Sequence, residues 1–228
     1  MQTVENSYQS NDFPLAHRPW QKNYSPGTPG NVELPETSLS HLMADAVREH
    51  PQKIALEFFG ATTTYGELGE KVLRVAEGLR KAGIQHGDRV AVVLPNCPQH
   101  MVAFYAIMRL GAVVVEHNPL YTAAELRHMF EDHGAKAAIV WDKIADNVTS
   151  LPSDIRPKHI FAVNMIEEMP RLMRTALKLP VGKLKASREK LEGVAKGTTS
   201  WRQLLKNEPI AADHHRPTAH DLALLQYT

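Results

Sequence analysis

Cysteine is almost missing from this chain. Cys97 stands alone among 228 residues, so no disulfide can close within the chain, and a reducing compartment is the natural setting. Long apolar runs are missing as well. Stretches such as Val90 to Leu94 are far too short to span a bilayer, and the polar residues Met1 to Asn11 contain no apolar segment of the kind a signal peptide needs. Neither sign of charge dominates. The 26 basic and 25 acidic residues leave a net +1, and nothing global points to nucleic acid. A cytoplasmic chain is expected, or one resting on the inner face of the cell membrane. Two nucleotide-binding signatures are also absent. No Gly-x-Gly-x-x-Gly follows a strand, and no Gly-x-x-x-x-Gly-Lys-Ser/Thr occurs, which argues against a Rossmann dehydrogenase and a P-loop NTPase.

What is present is apolar residue in ordered alternation. Hydrophobic residues make up 43% of the chain, enough to bury a sizeable core. Residues 1–36 are rich in Pro, Gly, Asn and Ser and read as an extended arm. From there the pattern becomes regular. Ile54 to Phe59 reads as a strand, Gly60-Ala61 as a turn, and Thr62 to Thr64 as a returning strand. Thr64 with Glu67, and Thr122 with Glu125, have the spacing of capping boxes that open helices. Gly83 and Gly134 are placed to end those helices. Arg89 to Leu94, Ala112 to Val115, Lys136 to Trp141, His159 to Val163 and Asp221 to Tyr227 read as further strands. Strands separated by helices of roughly 10 to 18 residues need crossover connections. The expected fold over 37–228 is therefore α/β, a mostly parallel sheet with helices on both faces.

Several strings in this region belong together: Thr64-Tyr65-Gly66-Glu67-Leu68, then Gly87-Asp88-Arg89-Val90-Ala91-Val92-Val93-Leu94-Pro95-Asn96-Cys97-Pro98, then Gly111-Ala112-Val113-Val114-Val115, and finally Asn118-Pro119-Leu120-Tyr121-Thr122 with Glu125-Leu126. In order and spacing, from about Leu39 onward, they resemble the adenylate-forming superfamily of acyl-CoA synthetases, luciferases and peptide-synthetase adenylation domains. The Asn118-to-Thr122 string and Arg18-Pro19-Trp20 look most like bacterial long-chain fatty acid–CoA ligases. The resemblance implies that Leu224-Leu225-Gln226-Tyr227-Thr228 leads into the family's phosphate loop, with Tyr227 and Thr228 at the start of the ATP-binding segment. Such a loop needs small residues and hydroxyls so that backbone N–H groups can reach phosphate oxygens.

The same resemblance implies ATP, Mg2+, CoA and a long-chain fatty acid for a full-length enzyme. It also implies that this chain is the incomplete N-terminal domain of that enzyme, truncated before the phosphate loop and inactive alone. No catalytic residue is expected within it. Two alternatives stay open: a sibling ligase for short or aromatic acids, and a non-catalytic truncated module that docks on membranes.

Other residues invite weaker readings. His214-His215 with His220, and Glu125 with His128, are thin as metal sites because no cysteine supports them, and no metal site is expected. Cys97, followed by Pro98, reads as a buried small residue. Residues 165–192 break the alternation and read as a basic amphipathic insertion. Between Met169 and Lys190 lie seven basic residues and one acidic residue, Glu189, for a local +6. At about 100° per residue, Met169, Leu172, Met173, Ala176, Leu177 and Leu179 share one arc, and Arg171, Arg174 and Lys178 share the opposite one. Two explanations fit: a helix lying on an anionic membrane through those three cations, or a surface helix packed on its own domain.

Overall fold

The computed structural model describes residues 18–32 and 34–227. The chain divides into two units, Met1–Pro35 and Glu36–Thr228. In the first unit the main regular feature is a 3-10 turn, Pro19–Asn23, near which Gln21 Nε2 donates to the Gly30 carbonyl at 2.6 Å.

The second unit begins with α1 (Leu39–Glu49), followed by the antiparallel hairpin β1 (Ile54–Phe58) and β2 (Ala61–Thr64). It continues with α2 (Tyr65–Lys81), β3 (Arg89–Val93), α3 (Pro98–Arg109), β4 (Val113–Glu116), α4 (Ala123–His133) and β5 (Ala137–Trp141). Then come α5 (Ala145–Thr149), β6 (His159–Val163), α6 (Arg171–Leu177), α7 (Gly182–Leu191), β7 (Thr199–Ser200), α8 (Arg202–Leu205) and β8 (Leu224–Gln226). Six strands form one sheet in the order β7-β6-β5-β3-β4-β8, and every pairing in it is parallel. The α/β class with a mostly parallel sheet is thus what the alternation foretold.

Both capping boxes are formed. Thr64 Oγ1 accepts from the Glu67 amide, the Glu67 carboxylate accepts from the Thr64 amide, and Thr122 and Glu125 repeat the arrangement. Each satisfies two amides that a helix start leaves without partners. The helix α2 then buries Leu68, Val72, Val75, Ala76 and Leu79, each worth about 1.5–3 kcal/mol for a fully buried large aliphatic and less for Ala76. At the far end of α4, Gly134 takes φ +56, the left-handed conformation that closes the helix.

The strand residues sort by parity. Val90, Val92, Leu94, Val114, Ala137 and Ile139 face a core shared with α2 and α3, while Ala91, Val93, Ala138 and Val140 face a second core shared with α4 and α5. Because the central strand β3 is covered on both faces, it reads as an unbroken apolar run.

Several expectations are corrected. The last strand is shorter than Asp221–Tyr227, because a turn at Thr218–Asp221 occupies its start: the Asp221 amide donates to the Thr218 carbonyl, and Asp221 Oδ2 accepts from the Thr218 amide at 2.6 Å. The hairpin turn is Phe59-Gly60 rather than Gly60-Ala61, with both residues at positive φ. In the basic insertion α6 ends before Pro180, as a proline there requires, and a further helix, α7, starts at Gly182.

Candidate functional site

The connections out of β3 and β4 part company. From β3 the chain crosses through α3 to β4 on one side. From β4 it returns through α4, on the opposite face of the sheet, to β5 on the other side of β3. This reversal opens a crevice at the carboxyl ends of β3 and β4, the place where open parallel sheets bind ligands. A cleft of about 600 Å³ lies there. Leu94 and Asn96 enter it from the loop after β3, His117, Asn118 and Pro119 from the loop after β4, and Gln226 and Tyr227 from β8 and its end. Met101 and Phe104 of α3 give it an apolar wall. A smaller cavity of about 210 Å³, near Ser38, Gly111 and Ala223, lies at the amino ends of β4 and β8 and lacks this arrangement.

The polar groups of the cleft are individually fixed. His100 Nε2 meets Glu116 Oε1 at 2.9 Å. Asn118 Oδ1 accepts from the Leu120 amide at 2.9 Å, which shapes the Asn118-Pro119 turn. Behind them the His117 ring is stacked between Phe130 and Tyr227, at 5.4 Å and 5.3 Å. The Tyr227 hydroxyl donates to the Asp132 carboxylate near the end of α4, and burial with that neighbour pushes the phenol up to about 12.

A chain of proton assignments runs through this cluster. The Ala135 amide donates to His133 Nδ1 at 3.0 Å, so a neutral His133 carries its proton on Nε2. That atom faces His117 Nε2 at 3.1 Å and donates to it. His117 must then hold its proton on Nδ1. Burial keeps both rings uncharged, pushing His117 down to about 4 and His133 down to about 3. His117 Nδ1 is buried and meets no partner among the described residues. His117 as a residue lines the cleft.

Of the residues singled out in the sequence, Tyr227 lines this cleft, and Thr228 lies outside the described residues. Asn118 and Pro119 line it as well. Cys97 is buried at the start of α3, and burial pushes its thiol up to about 11, so it holds no thiolate near neutral pH. Among the described residues no three His, Cys, Asp or Glu side chains gather as a metal-binding group. His117, His133 and Glu116 escaped the sequence reading. Only strand parity, which puts His117 on the face of Val115, hints at their meeting across α4.

The basic insertion stands apart from the cleft residues, after β6. Arg171 and Lys178 are exposed, whereas Arg174 is half-buried and donates to the Glu167 carbonyl at 3.0 Å. The three cations therefore do not form one free face. Among the described residues no helix is long and apolar enough to cross a membrane.

Residues 43–228 match the family model described as AMP-binding enzyme. The chain belongs to the AMP-binding enzyme family. Among its relatives, a long-chain-fatty-acid–CoA ligase of Bacillus subtilis is 33% identical over 151 residues, covering 66% of this chain and 26% of that protein. A protein of the same name from Haemophilus influenzae is 30% identical over 213 residues, covering 92% of this chain and 37% of that protein. The chain thus spans well under half the length of these AMP-binding relatives. A crystal structure of an anthranilate CoA ligase with anthranoyl-AMP superposes with a TM-score of 0.66 at 17% identity, over 86% of this chain and 32% of that one, which speaks for the fold alone.

Proposed function

We propose that this chain forms the N-terminal portion of an ATP-dependent long-chain fatty acid–CoA ligase and supplies one wall of its nucleotide and acyl clefts. The observation that carries the reading is the Haemophilus influenzae relative, which bears that name and aligns with 92% of the chain. The crevice at the carboxyl ends of β3 and β4 supports it, because it offers an apolar wall beside fixed polar groups.

In this reading the fatty carboxylate attacks the α-phosphorus of ATP and pyrophosphate leaves. The thiol of CoA then attacks the acyl carbon and AMP leaves. A carboxylate is a poor electrophile, and adenylation gives its carbon a good leaving group. Tyr227 and Thr228 would lead into the segment that cradles the phosphates. His117 would stand in the wall of the cleft beside the ligand. Magnesium, when bound, would offset the phosphate charge; among the described residues no group of three His, Cys, Asp or Glu side chains gathers to hold it. The 228 residues by themselves are expected not to turn over, in keeping with their span of 37% of the Haemophilus relative. Long-chain acids partition into lipid, so the enzyme would work peripherally on an anionic leaflet, with the exposed Arg171 and Lys178 toward it.

The test is pyrophosphate release from a full-length protein carrying this chain, given ATP, magnesium, CoA and acids of graded length. Long-chain acids should give acyl-CoA fastest. Turnover confined to short or aromatic acids would replace the reading with that of a sibling ligase.

A further inference from the structure

We infer that the cavity walled by α1, α2, α3 and Arg216 binds a small amphipathic anion, its carboxylate or phosphate head beside Arg109 and Arg216 and its aliphatic body along α1 and α2. This goes beyond the ligase reading and does not rest on it, because the cavity is separate from the cleft at the carboxyl ends of β3 and β4.

The cavity holds about 310 Å³. Met43, Ala44 and Val47 of α1, with Val72 and Leu73 of α2, give it aliphatic walls. The two helices touch at its lining: a Cβ on Gly69 would stand 2.9 Å from both γ-methyl carbons of Val47. Tyr105 enters from α3, and Arg109 from the last position of that helix. Helix α3 thus serves two spaces from different sides. Its Met101 and Phe104 line the cleft, its Tyr105 and Arg109 line this cavity, and no residue lines both.

The charges of the cavity lack a counter-charge. Arg109 is 3% exposed. Its Nη1 donates to the His215 carbonyl and its Nη2 to the carbonyls of Ala211 and His214, each at 3.2 Å. Its Nε meets no partner among the described residues. These acceptors are neutral, so they leave the guanidinium charge uncompensated. Arg216 lines the same cavity, half-buried, and forms no ion pair with any described residue. Burial, and after it the Arg216 charge, push Arg109 down to about 10, so both arginines are positive near neutral pH. Glu70 is the one acidic residue of the lining, and Arg74 already holds its carboxylate at 2.7 Å and 3.0 Å.

Two neighbouring cations, one of them buried, destabilise each other. An anion beside both relieves the repulsion and compensates the buried charge, and a guanidinium suits the oxygens of a carboxylate or a phosphate. The aliphatic walls select what that head carries. Acetate or inorganic phosphate would leave them uncovered, whereas an aliphatic tail removes them from water.

The experiment is calorimetric titration of the 228-residue chain with decanoate, decyl phosphate, decanol and acetate, each kept below any micelle concentration. Amide nitrogen–proton correlation spectra locate the ligand. At least one of the two amphipathic anions should bind saturably, with shifts at Met43, Gly69 and Arg216, and the tighter one names the head group. Decanol and acetate should bind about tenfold or more weakly. Two variants accompany the titrations. Arg216→Glu reverses a half-buried, unpaired charge, and Ala44→Phe fills the cavity from α1. Each should weaken the anion about tenfold or more, with urea unfolding confirming that the variant is folded. Arg216→Glu carries the test should the larger side chain disturb α1. The inference is overturned by failure of both amphipathic anions to saturate, by equal binding of decanol, or by unchanged affinity in Arg216→Glu. Shifts confined to Asn118 and Tyr227 would place the ligand in the cleft and overturn it as well. None of these outcomes involves ATP, CoA or turnover, so failure here is distinct from failure of the ligase reading.

Discussion

His133 donates from Nε2 to Nε2 of His117 across 3.1 Å, and neither ring carries a charge in the folded protein. The pair joins the end of α4 to the loop after β4, and Tyr227 lies over the His117 ring. Its neutrality has a consequence in acid. Both pKa values lie below the ordinary 6.5, mainly through burial. The unfolded chain therefore takes up protons first. The stability tied to the neutral pair is complete above pH 6.5 and is lost as pH falls toward about 4 and then about 3. Denaturant unfolding at a series of pH values should show this loss. A double variant, His117→Gln with His133→Gln, should show a shallower decline below pH 6.5. Parallel curves for the two proteins would refute the assignment.

Asp142 behaves in the opposite sense. Its carboxyl is pushed up to about 7, chiefly by burial, although the Gly193 amide donates to it. The folded state holds a proton that the unfolded state has already released, so stability falls as pH rises from about 4 to about 7. Asp142→Asn keeps an acceptor for Gly193 without a charge. The variant should exceed the parent in stability at pH 8 and converge with it near pH 4. The gain at high pH scales at roughly 1.4 kcal/mol for each unit of pKa difference. Thermal unfolding at the two pH values measures it, and a variant less stable at both would count against the buried-carboxyl account.

Phe59 strains its turn. It sits at φ +51 in the two-residue connection between β1 and β2, next to Gly60 at φ +86. Both positions at positive φ define the turn type that favours Asn-Gly, and a bulky side chain there costs about 1–2 kcal/mol. The ring is 55% exposed, with an edge contact on Phe58 to lose. Phe59→Asn should therefore raise stability by about 1 kcal/mol, read as a higher midpoint in urea. A lowered midpoint would mean that the Phe58 contact outweighs the backbone strain.

The sequence disclosed those parts of the fold whose causes are local. A capping box needs two residues three apart, and both were legible at Thr64 and Thr122. Buried parallel strands announce themselves as short apolar runs, as at β3 and β5. Helix α1 lacked such a signal, because Ser38 turns its hydroxyl to His41 Nδ1 and Ser40 instead of capping an amide. Strand β7, two exposed residues long, has no pattern to read. The family strings led to Tyr227 and Asn118, both on the cleft. The histidine pair did not emerge, since His117 and His133 meet only after α4 has crossed the sheet. The helical wheel over Met169 to Leu179 erred for a related reason. It assumed a single apolar face, and packing divided that face between Leu177 inside and Leu172 outside.

The order of the sheet bears on handling the protein. Its two margins are unequal: β7 is a two-residue stub, whereas β8 runs beside β4 with its other side open among the described residues. Around that margin Leu222 is 54% exposed and Leu224 37%. Unsatisfied strand amides and carbonyls next to bare leucines form a template for a further strand, from the same chain or from another molecule. Concentrated solutions of these 228 residues should therefore tend toward self-association through β8, and a peptide able to lie along Leu224–Gln226 should suppress it.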